Sequence, residues 1–127
     1  MGGRIASLVV EKAEKSIERN DEKVPANISG LACLGFPFYA PKKERLPEVS
    51  RGVHLYEVKM PTLILQGERD HFAKQEEVSA MPLPKNLQCY FLADGDHSFK
   101  PRVKSGHTLE QNMLETIDRL ADFIHQC

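Results

Sequence analysis

Three short apolar runs constrain the fold of this chain more than any other feature. Ile28-Ser-Gly-Leu-Ala-Cys-Leu34 stops at Gly35. Thr62-Leu-Ile-Leu-Gln66 follows Pro61 and stops at Gly67. Leu87-Gln-Cys-Tyr-Phe-Leu92 is turned by Asp94-Gly95. Runs of this length, bounded by turn residues, predict strands, the first two of them buried. The segments between and around them alternate with helical spacing. Ile5, Leu8, Val9, Ala13 and Ile17 recur at intervals of three and four before Asn20-Asp21 stops the helix. Residues 74–80 read as a short helix. Leu109, Met113, Ile117, Leu120, Ala121 and Ile124 give a closing amphipathic helix. Strands alternating with helices mean a parallel sheet flanked by helices, an α/β fold.

Residues 36–53, rich in proline and charge, read as loop. Within them Lys42-Lys43-Glu44-Arg45 is a solvated stretch rather than a binding patch, because Glu44 breaks it. At 127 residues the chain suits one domain or a piece of one. Hydrophobic residues at 41% and charged residues at 28% argue against disorder. A net charge of −1 gives no pull towards nucleic acid or an anionic membrane. No run approaches the roughly 20 apolar residues a membrane span needs. Cys33, Cys89 and Cys127 are an odd number, two of them inside apolar runs. They read as free thiols in a reducing, cytoplasmic or nuclear, compartment.

In open parallel sheets ligands bind beyond the carboxyl ends of the strands. Asp70 stands four residues past the second run and His97 five past the third. Neighbouring parallel strands lie about 4.8 Å apart, so side chains just beyond them can meet. A carboxylate bonded to one imidazole nitrogen fixes the tautomer and stabilises the imidazolium formed when the other takes a proton. These two residues are therefore candidates for an acid and a general base. Asp94 and Asp96 are rival acids by proximity, although Asp94-Gly95 is good turn chemistry. His71 adjoins Asp70 but should point elsewhere. His54, His107 and His125 read as structural and without partners. Phe36, Phe38 and Tyr39, past the first strand, are either an apolar substrate wall or loop anchors. No residues suggest a metal or cofactor.

Met60-Pro-Thr-Leu-Ile-Leu-Gln-Gly-Glu-Arg-Asp70 resembles the acid-bearing strand and loop of the α/β-hydrolase superfamily, and Asp94-Gly-Asp-His-Ser-Phe99 resembles its histidine loop. The 27 residues from Asp70 to His97 leave room for one helix and one strand, and the order fits the family's serine, acid, histidine. Leu34-Gly-Phe-Pro-Phe38 and His97-Ser-Phe-Lys-Pro-Arg102 look like the testis-expressed and KANSL3-like group, relatives of dienelactone hydrolases. The family's nucleophile elbow reads Gly-x-Ser-Met-Gly-Gly, and this chain opens Met1-Gly2-Gly3. The resemblance implies that residues 1–127 are a C-terminal, partial α/β-hydrolase domain of about three parallel strands, starting just after the nucleophile serine. The N-terminal strands and the elbow would then be absent. Met1 would occupy the oxyanion-donor position.

None of Ser7, Ser16, Ser29, Ser50, Ser79, Ser98 and Ser105 stands in a Gly-x-Ser-x-Gly context. The resemblance thus implies a serine hydrolase with esterase-type acyl transfer on a small ester-like substrate in a full-length parent. The chain alone would be inactive, since losing the serine costs roughly 10⁶ in turnover. The alternative is a non-catalytic interaction module of a regulatory complex, because the group includes a subunit of a chromatin-regulating complex. Its protein partner would bind at the sheet edge left open by the missing strand.

Overall fold

The computed structural model describes residues 6–11, 14 and 15, 28–39 and 50–127. Residues 6–11 and 14–15 are helical and form α1. Then come β1 (Leu31–Leu34), a 3-10 turn (Val53–Glu57), β2 (Thr62–Gly67), α2 (Gln75–Ser79), β3 (Leu87–Leu92), a second 3-10 turn (Val103–Ser105) and α3 (Leu109–Gln126). The three strands form one parallel sheet in the order β1-β2-β3, with Leu31 opposite Thr62 and Thr62 opposite Leu87.

β2 is central, and all six of its residues are buried. This is why Thr62-Leu-Ile-Leu-Gln66 carries no polar alternation. Its side chains serve two cores on opposite faces. Ile64 joins Val10, Cys33, Phe36, Phe38, Leu55 and Val78 on one face. Leu63 and Leu65 join Leu92, Phe99 and Phe123 on the other. The sheet is thus the middle layer, with α3 covering the second face.

Two elements differ from the sequence reading. β1 begins at Leu31 rather than Ile28, and as an edge strand among the described residues it is buried only at Leu31 and Cys33, with Ala32 and Leu34 exposed. The Leu31 amide donates to the Pro61 carbonyl at 2.9 Å, and Pro61 has no N–H with which to continue the ladder backwards. On α3, the stripe of Met113, Ile117 and Ile124 is solvent-facing, and Asn112, Thr116 and Phe123 are buried instead. Asn112 decides this, because its side-chain amide donates to the carbonyls of Ala93 at 3.0 Å and Phe99 at 2.8 Å. Satisfying two buried carbonyls outweighs covering a more apolar stripe. The helix starts where a capping box sets it: Thr108 Oγ1 accepts from the Gln111 amide, and the Gln111 side chain accepts from the Thr108 amide.

α1 is tied to the strand layer by polar contacts. Ser7, fully buried, lies 2.6 Å from Nε2 of His54 through its hydroxyl. The Glu14 carboxylate accepts from the amides of Lys59 and Met60 just before β2. His54 is structural as expected, but it has a partner that the sequence did not reveal.

Candidate active site

The loops after β2 and β3 are joined by their backbones. At Gly67 a Cβ would fall 2.1 Å from the Asp96 carbonyl oxygen and 2.3 Å from that of Gly95, so only hydrogen fits. Across this contact the Glu68 amide donates to the Leu92 carbonyl (3.2 Å) and the Arg69 amide to that of Gly95 (2.9 Å). The Asp94 amide donates back to the Glu68 carboxylate at 2.6 Å.

The histidine loop is also closed on itself. Asp94 adopts the left-handed backbone region (φ 51°) that aspartate tolerates. Its carboxylate receives the Arg102 guanidinium at 2.6 Å and the Arg102 amide at 2.8 Å, and Arg69 lies 3.2 Å away. The hydrogen bonds from Arg102 hold the Asp94 carboxyl far below the usual carboxylate range. Asp96 Oδ1 accepts from the amides of Ser98 and Lys100. Phe99 is left-handed too (φ 68°), an uncommon conformation for an aromatic residue. It is held there by its buried ring and by Asn112 on its carbonyl.

On this scaffold the Oδ2 atom of Asp70 lies 2.7 Å from Nδ1 of His97. An ionised carboxylate only accepts, so Nδ1 carries the proton and Nε2 presents its lone pair. Asp70 is completely buried, whereas the His97 side chain is one-third exposed. Among the described residues nothing hydrogen-bonds to Nε2, and no serine hydroxyl reaches it. The Phe72 ring, 4.8 Å from that of His97 between centroids, backs the imidazole. Gly35, with φ +76°, lies under it: a Cβ there would come 3.1 Å from His97 Cε1.

The family model for an alpha/beta hydrolase domain matches residues 1–125. The chain belongs to the alpha/beta hydrolase family. No curated protein and no solved structure matches it.

The other sites foreseen for this alpha/beta hydrolase are distributed differently. Met1 lies outside the described residues. Phe36, Phe38 and Tyr39 are 0%, 0% and 2% exposed, and they pack in the core cluster under the sheet. Asp94 and Asp96 both serve their own loop, through Arg102 and backbone amides, rather than His97. The His71 ring lies 6.3 Å from that of His97 between centroids. Cys33 and Cys89 have thiols pushed up by burial to about 11 and about 12, which leaves them inert as nucleophiles. No group of three or more candidate metal-ligating side chains occurs among the described residues. Among the described residues, no helix is long and apolar enough to cross a membrane.

Three supporting residues escaped the sequence reading: Gln66, Asn112 and Gly35. Gln66 is fully buried, and its Nε2 donates to Asp70 Oδ2 at 2.7 Å. It was the single long polar residue in an otherwise apolar strand, directly before Gly67. A buried amide in such a run requires partners, and that was the available signal.

Proposed function

We propose that Asp70 and His97 are the acid and base of a serine-hydrolase triad acting by acyl transfer on a small ester-like substrate. The observation that carries this is the 2.7 Å Nδ1–Oδ2 contact at the carboxyl ends of the strands, with the His97 side chain one-third exposed. The serine and the other oxyanion donor would come from a full-length parent, through a strand ending in Gly-x-Ser ahead of Met1, whose amide would be the first donor. There His97 Nε2 takes the serine proton as Oγ attacks the substrate carbonyl. It returns that proton to the departing alkoxide, leaving an acyl-enzyme. Water, deprotonated by the same nitrogen, then releases the acid. Asp70 orients the ring and stabilises the imidazolium in both halves. Phe36, Phe38 and Tyr39 are core residues that anchor the loop after β1, not a substrate wall.

The test is labelling by a fluorophosphonate probe. The 127-residue chain should not label. A parent extended through the elbow should label at its serine. In that parent His97→Ala should abolish labelling, and Asp70→Asn should slow it by about 10⁴, following the serine-protease precedent. A folded parent that carries the serine and an intact pair yet stays unreactive would overturn the enzyme reading.

A second reading, a protein-interaction module, is favoured by one observation. The outer edge of β1 has no strand partner among the described residues, and Leu34 on it is 54% exposed. An open apolar edge is a template for another chain.

A further inference from the structure

Gln66 does more than fill the end of β2. Its side-chain oxygen accepts from the Phe36 amide at 2.8 Å. Its nitrogen donates to the Phe36 carbonyl at 3.1 Å and to Asp70 Oδ2 at 2.7 Å. The orientation of the amide follows from its partners. The carbonyl and the carboxylate only accept, so the group facing them is the NH₂. Both N–H donors and the carbonyl oxygen of a fully buried side chain are used, and one of the donors ends on the oxygen that also holds His97.

The Asp70 carboxylate is cut off from water, so its charge is stabilised only by donors. It has three: the Phe72 amide on Oδ1 at 2.9 Å, and Gln66 and His97 on Oδ2. The first two do not titrate. Each donor that shares the charge reduces what remains to attract a proton at His97. We propose that Gln66 is a positioning residue that tempers the proton affinity of His97 through Asp70. A general base is most effective when its pKa lies near the working pH. Because the same amide grips both backbone groups of Phe36, the loop after β1 and the acid are held as one unit.

The proposal deepens the acid–base reading of the site and rests on it. Its readout, however, is proton binding in the 127-residue chain and needs no nucleophile. A parent that fails to label would therefore count against the hydrolase reading without altering this result. The other titratable groups near His97 among the described residues are accounted for. His71 lies 6.3 Å away between ring centroids. Asp96 is bonded to the amides of Ser98 and Lys100, Asp94 is paired with Arg102 and Arg69, and Glu68 accepts from the Asp94 amide.

The experiment is an NMR titration of His97 in ¹⁵N-labelled wild type and in Gln66→Met, which matches the side chain in length but offers no N–H donor. Losing one donor to a buried carboxylate should raise proton affinity at His97 by about tenfold, moving its midpoint up by about one pH unit. If Gln66 merely pins the β1 loop, the midpoint stays where it is. If its loss lets Asp70 swing away, the midpoint falls. Either result overturns the proposal. Should Gln66→Met not fold, the wild-type protein carries the test. The Gln66 side-chain amide protons should then be slow to exchange and should shift with the same midpoint as His97. Amide signals that ignore pH across that range would overturn it equally.

Discussion

A methyl group at position 67 has nowhere to go, because two carbonyl oxygens of the histidine loop already occupy the space it would need. Gly67→Ala is therefore expected to push the acid and histidine loops apart. It should destabilise the fold by about 1–3 kcal/mol, the usual cost of overpacking a site that cannot yield, read from the urea midpoint. The same variant should weaken the Asp70–His97 contact, since both loops hinge on that approach. Asp94 makes a prediction in pH. Its folded-state carboxyl is held well below its unfolded value by Arg102 and then Arg69. The unfolded chain thus takes up a proton first as pH falls. Asp94 contributes stability that is present above the ordinary carboxylate value of about 3.9 and is lost progressively below it. Asp94→Asn should flatten the loss of stability between about pH 4 and pH 2, measured as urea midpoint against pH. A variant curve parallel to wild type would show that the Arg102 pairing does not hold the loop.

At the level of elements, the apolar runs were enough to place β2 and β3. Each is a parallel strand ended by glycine or a turn, β2 buried throughout and β3 only at Leu87 and Leu92, and no alternative period fits Thr62-Leu-Ile-Leu-Gln66. Because both strands were legible, Asp70 and His97 could be placed at neighbouring strand ends before any coordinate. β1 was overextended because an apolar run does not reveal where a partner strand loses its donor, here at Pro61. The exposed side of α3 was misjudged for a related reason. Periodicity finds the most apolar stripe, whereas the docking face was chosen by polar demands from the Ala93 and Phe99 carbonyls, which belong to another segment. Gln66 was unread for the same cause, since its partners lie 30 residues back and 4 residues on. Asn112→Ala tests this view of α3. The helix should persist, because Thr108 and Gln111 cap it independently, while two buried carbonyls are orphaned. The expected cost is about 1–3 kcal/mol, with faster hydrogen exchange concentrated in residues 94–100 rather than along the helix.

For the molecule as a whole, the sheet has three strands and an outer edge at β1 that is unpaired among the described residues. Leu34, more than half exposed there, makes the edge apolar. The 127-residue chain should associate with rising concentration in sedimentation experiments, and Leu34→Glu should suppress this, since charge on an edge blocks strand pairing. The three layers otherwise hold the Asp70–His97 contact at the carboxyl ends of β2 and β3. That pair is tested most directly by a two-bond ¹H–¹⁵N correlation spectrum of His97 in this chain, recorded above its titration midpoint. The proton should sit on Nδ1, facing Asp70, with Nε2 bare, and Asp70→Asn should erase that preference. A wild-type His97 carrying its proton on Nε2, unchanged by Asp70→Asn, would contradict the pairing and with it the hydrolytic reading of the site.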